Sequence, residues 1–212
     1  MNLFDEPRAH DWQNIPLPDA DLRLIAHWLA PEEADALLDT LCASIPWEVH
    51  RIRLFGREID SPRLSYWIGD PEASYTYSRT RFEPHPWPEA LRSLRGRVEQ
   101  ACGARFNSVL ANLYRDGGDS IGWHSDDEPE LGERPVIASL SLGAERRFRL
   151  RRKPGRDGAA PGASLGLPLP HGSLLRMAGD TQRLYQHGLP KVRGVPTARL
   201  NLTFRLIRPE RR

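Results

Sequence analysis

Lysine is almost missing from this chain. Of 30 Lys and Arg residues only Lys153 and Lys191 are lysine, so the positive charge is nearly all arginine. A planar guanidinium suits phosphate and carboxylate recognition better than an ammonium does. Cysteine is as scarce: Cys42 and Cys102 are the only two, both in segments of helical periodicity. Two such residues imply no disulfide framework, and buried reduced thiols are expected. No apolar run approaches the roughly 18 residues that would span a bilayer. The opening "MNLFDEP" carries acids where a secretory leader would carry positive charge. A cytoplasmic protein, nucleoid-associated if bacterial, with no membrane partner is expected. Internal repeats are also missing.

What is present reads as one soluble globular domain: 212 residues, 39% hydrophobic and 27% charged. The net charge of +2 hides a strong asymmetry. Residues 1–40 hold nine acids against Arg8 and Arg23, whereas 145–157 ("ERRFRLRRKPGRD") hold seven basic residues against Glu145 and Asp157. Lys191 onward adds seven more against Glu210. Such a distribution fits a face for nucleic acid; it fits a solvated charged surface equally well. The tryptophans near the segments below, Trp67, Trp87 and Trp123, are expected in the core.

Residues 1–20 read as a flexible tail, followed by a single domain over 21–208. A helix is expected at "APEEADALLDTLCAS": Pro31 suits a first helical position, Glu32 and Glu33 suit the positive dipole end, and Ala34, Leu37, Leu38 and Leu41 recur at helical spacing. A second follows Pro88, with Leu91, Leu94 and Val98 on one face and Gly103 at its close. Between them "WEVHRIRLFGREID" reads as a hairpin with Phe55 and Gly56 at its tip. From residue 105 strand follows strand, so the class expected is α+β, with helices on one side of a β-rich body. The Gly/Pro-rich stretch 154–172 reads as a long functional connection.

Three strands reward a reading at period two. In "NSVLANLY", Ser108, Leu110, Asn112 and Tyr114 share a face. In "RLNLTFRL", Arg199, Asn201, Thr203 and Arg205 face one way and Leu200, Leu202, Phe204 and Leu206 the other. In "PVIASLSLG", Ala138, Leu140 and Leu142 oppose Ile137, Ser139 and Ser141. A cationic front on a strand with an apolar back needs anionic partners, because unpaired buried charge is costly; a small dicarboxylate would supply them. In "GWHSDDEPE", His124 and Asp126 point to the same side of an extended chain, and "LYQHGLP" offers His187 as a third ligand. Two histidines and a carboxylate on one face of an ion leave the other open, as iron(II) requires for oxygen and a chelating cosubstrate. The His-x-Asp pattern alone does not separate this from a charged loop beside a surface histidine.

"NLYRDGGDSIGWHSDDEPELG", "IASLSLGAERRFRL", "HGSLLRMAGDTQRLYQHGLPK" and "RLNLTFR", in that order, resemble the AlkB family of iron(II)- and 2-oxoglutarate-dependent dioxygenases, its DNA-repair demethylase branch above all. The likeness runs from about residue 47 to 207. It implies a double-stranded β-helix (jelly-roll) catalytic core over 105–207, supporting N-terminal helices and a nucleotide-recognition region over 45–85. It implies His124, Asp126 and His187 as iron ligands, and Asn112, Tyr114, Arg199, Asn201 and Arg205 as 2-oxoglutarate residues, with Arg205 on the distal carboxylate. Asp127 and Glu128 are implied near the damaged base, Tyr77 as the aromatic that sandwiches it, and Phe55 as the wedge that fills the gap it leaves. The implied reaction uses O2 and 2-oxoglutarate to hydroxylate an N-methyl group on a base such as 1-methyladenine or 3-methylcytosine, releasing formaldehyde. The implied partner is alkylated DNA, duplex or single-stranded, or RNA, bound by a monomer. A protein or lipid substrate, or a non-enzymatic nucleic-acid-binding jelly roll, are the other readings.

Overall fold

The computed structural model describes residues 12–54, 57–77, 80–154 and 164–208. The chain opens with β1 (Gln13–Asn14) and β2 (Asp21–Ile25), then α1 (Pro31–Ser44). Two hairpin strands, β3 (Arg51–Leu54) and β4 (Arg57–Asp60), precede β5 (Leu64–Gly69). A second short pair, β6 (Tyr75–Tyr77) and β7 (Thr80–Phe82), leads to α2 (Glu89–Cys102). The body follows: β8 (Ser108–Tyr114), β9 (Ile121–His124), β10 (Ile137–Gly143), β11 (Arg146–Arg152), β12 (Leu165–Leu169) and β13 (Ser173–Ala178). A single turn, α3 (Thr181–Leu184), precedes β14 (Tyr185–Leu189), and β15 (Arg199–Arg205) closes the fold.

Both long helices lie where their periodicity puts them. α2 ends on Gly103, whose φ of 61° lies in the left-handed region that glycine tolerates. Seven strands form one sheet in the order β1-β2-β13-β10-β15-β8-β5, and four form a second, β12-β11-β14-β9. Every ladder within these sheets is antiparallel, which gives the two-sheet jelly roll. The back of the larger sheet (Val109, Ala111, Ala138, Leu140, Leu142, Leu200, Leu202, Phe204) meets α1 and α2 through Ala34, Leu41, Leu91, Leu94 and Val98. A second cluster, with Phe148, Leu150, Leu167, Leu175 and Met177, lies between the sheets. Burial raises both thiols, Cys102 to about 12, so neither is an activated nucleophile.

Three expectations need correction. The tail over 1–20 does not extend to residue 20: β1 pairs with β2, and the Tyr185 hydroxyl donates to Pro18 O at 2.7 Å. The connection over 154–172 contains β12, an edge strand on which Pro168 is tolerated because its missing N–H faces no partner strand. Trp87 is core and Trp67 packs on the second cluster, but Trp123 is 37% exposed. Phe55 and Gly56 lie outside the described residues, as does the Tyr77 side chain.

Candidate metal and cosubstrate site

Antiparallel register brings the sequence-distant ligands together. His124 ends β9 and stands directly across from His187 on β14, with ring centroids 4.3 Å apart. Asp126 lies two residues past His124, its backbone N–H donating to Gln182 Oε1 at 3.0 Å. One ligand atom from each of the three lies within 4.8 Å of the other two. The protonation pattern suits a cation. His124 Nδ1 lies 2.9 Å from Gly122 O, which fixes the proton there and leaves Nε2 with its lone pair. Burial pushes His187 down to about 3, so its imidazole is neutral. Burial pushes the Asp126 carboxyl up, but the hydrogen-bonded Arg205 guanidinium outweighs that and holds it below the usual carboxylate range. Arg205 Nη2 donates to Asp126 Oδ1 at 2.6 Å, whereas Oδ2 is buried with no hydrogen-bond partner, 3.9 Å from His187 Nε2. A buried, ionised oxygen without a donor needs a cation, and two imidazoles with a carboxylate fit a divalent ion that keeps open positions.

The same residues line a cavity of about 250 Å³ whose other walls are Asn112, Tyr114, Arg199, Asn201, Thr203 and Arg205. Arg199 is 3% exposed and, among the described residues, has no carboxylate within 4.0 Å. Its Nη2 donates to Ser141 Oγ at 2.8 Å, its Nε has no partner, and burial lowers it to about 10. Tyr114 lies beside it, its ring 5.5 Å from the guanidinium, and burial keeps the phenol protonated as a donor. An enclosed cation with a free donor and a phenol alongside is a carboxylate receptor. Asn201 Nδ2 donates to Ser139 Oγ at 2.7 Å and Thr203 donates to Asn201 Oδ1 at 2.9 Å, which fixes that wall. The expected role of Arg205 is therefore corrected: it sits at the metal end on Asp126, and Arg199 occupies the far end. Period two tells which face a residue shares but not how far along the strand its partner lies.

The two implied base-contacting acids part company. Asp127 is exposed and accepts from Lys153 Nζ at 2.7 Å, off the cavity wall. Glu128 stands at the mouth, exposed as a residue but with its carboxyl turned inward, where desolvation raises it. Arg63, which sequence reasoning missed, lines the cavity as well; its Nε donates to Asn112 Oδ1 at 2.8 Å and its Nη1 to Ser61 Oγ at 3.1 Å. It lies between two strands, outside any alternating pattern, and no sequence signal marked it. Gln182, in the unforeseen α3, was missed for the same reason.

Comparison with known proteins agrees with this geometry. Residues 21–205 match the 2OG-Fe(II) oxygenase superfamily. The chain is 41% identical to the human alpha-ketoglutarate-dependent dioxygenase alkB homolog 3, over 98% of this chain and 75% of that protein. It is 40% identical to the human DNA oxidative demethylase ALKBH2, over 82% of this chain and 69% of that protein. The solved structure of OsALKBH1 shares the fold at a TM-score of 0.61 and 17% identity, covering 92% of this chain and 99% of the other. A His-Asp-His cluster, two of its members buried, that opens onto a carboxylate receptor in a jelly roll with these relatives places the chain in the AlkB family of iron(II)- and 2-oxoglutarate-dependent dioxygenases.

Proposed function

We propose that this dioxygenase repairs nucleic acid by removing N-linked methyl groups from bases such as 1-methyladenine and 3-methylcytosine, acting as a monomer on DNA, single-stranded or duplex, and on RNA. The observation that carries the reading is the single cavity in which the unpartnered Asp126 Oδ2 and the unpartnered Arg199 Nε both lie. Support for the substrate comes from the relative named as a DNA oxidative demethylase. A cytoplasmic setting, nucleoid-associated in a bacterium, suits two free cysteines, and residues 12–208 act as one catalytic unit.

In this reading His124 Nε2, Asp126 Oδ2 and His187 Nε2 would hold iron(II). Arg199 and Tyr114 take the distal carboxylate of 2-oxoglutarate, and Asn112, Asn201 and Arg205 shape the chelating end. Iron(II) held there would supply the oxidation: O2 would give one oxygen atom to 2-oxoglutarate, which leaves as succinate and carbon dioxide, and one to the methyl carbon, and the N-hydroxymethyl group would break down to formaldehyde and the bare base. Arg205 keeps Asp126 ionised and turned so that Oδ2 stays free. Burial of Asp126, His187 and Arg199 excludes bulk water. At the mouth, Glu128 faces a base that N-methylation has made cationic, while Arg63 holds Asn112 in place. Alkylation of the pairing edge also lowers the cost of extruding the base. Phe55 and Tyr77 remain the wedge and stacking residues in this proposal. Its test is iron-dependent succinate formation, faster with a methylated than an unmethylated strand. Equal rates on both would remove the nucleobase substrate.

A further inference from the structure

Six of the seven basic residues of 145–157 lie among the described residues, and they separate into unlike groups once folded. Arg146 is buried and donates to three backbone carbonyls, those of Asp116, Asp119 and Pro190, so it braces loops. Arg152 pairs with Asp19 and Lys153 with Asp127. Arg147, Arg149 and Arg151 project from the outer face of the four-stranded sheet, the first two exposed. Among the described residues none of these three has a carboxylate within 4.0 Å, although Arg95, Arg97, Arg115, Arg176 and Arg183 all do.

The surroundings of the three leave them open to a ligand. Arg149 stands between Gly166 on β12 and Gly188 on β14, so no side chain flanks it in either neighbouring strand. The stem of Arg147 lies over Gly166, where a Cβ would come within 2.9 Å of Arg147 Cδ. Arg151 donates to Gln186 Oε1 and sits 4.4 Å from the ring of exposed Trp123. Alternate residues on a strand are about 6.6 Å apart, comparable to the repeat of phosphates along an extended single strand. Trp123 lies on edge strand β9, on the back of the segment whose front supplies His124. An exposed indole beside a row of guanidinium groups is the combination that holds unpaired bases and their backbone.

We propose that this outer face, through Arg147, Arg149, Arg151 and Trp123, holds the backbone of the single strand that continues beyond the base in the cavity. The inference rests on the proposed nucleic-acid substrate and adds where the rest of that substrate lies. The test uses the full chain and an undamaged labelled 20-nucleotide single strand, with affinity followed against salt by fluorescence anisotropy. The R147Q/R149Q variant binds on the order of tenfold more weakly at 0.1 M salt, and its log–log salt slope falls by about 1.4, roughly 0.7 for each lost phosphate contact. W123L weakens binding but leaves the slope unchanged, because stacking releases no counterions. The control R92Q/R105Q, on the helix layer, removes equal charge and binds as the wild type. R147Q/R149Q keeps its rate on a methylated trinucleotide while its KM for a methylated 20-mer rises. An unchanged affinity and slope, or an equal loss in the control, overturns the inference. Loss of binding to phosphatidylserine vesicles with none to the strand assigns the face to a membrane surface and also overturns it. A protein that fails to demethylate but shows the loss of slope keeps this inference and discards the catalytic reading; one that demethylates while R147Q/R149Q binds normally does the reverse.

Discussion

Arg199 and Arg205 share one face of β15 and carry the same charge, yet their removal has opposite consequences for the empty protein. Arg199 is a buried cation with no carboxylate among the described residues. Ser141 and the Tyr114 ring offset only part of the cost of burying it, and the cosubstrate supplies the missing anion. Arg199→Met is expected to raise unfolding stability in denaturant titrations without 2-oxoglutarate, and to raise the KM for 2-oxoglutarate at least about 30-fold, the equivalent of losing ~2 kcal/mol from a buried charge pair. Arg205 is the counter-ion of the buried Asp126. Arg205→Met strands that carboxylate and should lower apo stability by about 3–5 kcal/mol, with part of the loss recovered when a divalent metal is added. Glu128→Gln keeps the shape of the mouth but removes its charge. It should lower kcat/KM for a cationic methylated base and leave the basal conversion of 2-oxoglutarate intact, checked by parallel assays for succinate and base.

Among the elements, β10 ends where the chain has no room for a side chain. Gly143 has φ of 82°, and a Cβ there would meet Ala198 O at 2.4 Å. Gly143→Ala should destabilise by about 1–3 kcal/mol, read from the shift of the denaturant midpoint. The attachment of β2 is pH-dependent. Asp21 ties it to β13 through Arg176 at 2.8 Å and also pairs with Arg23. Burial raises its carboxyl, but the two arginines win and hold it below its ordinary value. A depressed folded value means the contribution is complete above the unfolded value of ~3.9 and is lost as pH falls through the folded one. The stability gap between wild type and Asp21→Asn should therefore be full at neutral pH and close below about pH 4. How much of the fold was legible follows element by element. α1, α2, β8, β10 and β15 are long, strongly periodic and capped or alternating, and their faces point as read. β2, with five residues, and the four-residue α3 are too short to carry a period, and β12 hides a proline inside a Gly/Pro-rich stretch. In the site, ligands that alternate along strands were legible. Arg63 and Gln182 lie off any period: tertiary packing alone brings Arg63 to the cavity and Gln182 to the Asp126 backbone, and the swap of Arg199 with Arg205 turned on inter-strand distance.

Taken as a whole, the chain sorts its charges by what surrounds them. Arg95, Arg97 and Arg176, near the helices and β2, are paired with acids, those on the outer β11 face stand open, Arg205 in the cavity holds Asp126, and Arg199 beside it waits for an anion that is not a side chain. The metal and cosubstrate thereby become part of the stability of the folded chain: iron(II) with 2-oxoglutarate should raise Tm in the wild type and leave Asp126→Ala unmoved. The most direct test of the account is mass spectrometry of a single-stranded oligonucleotide carrying one 1-methyladenine, incubated with protein, iron(II), 2-oxoglutarate and ascorbate in air. The account predicts loss of one methylene from the base with matching succinate and formaldehyde, none of it with His124→Ala. An intact methyl group and no succinate, from folded and iron-loaded protein, would contradict it.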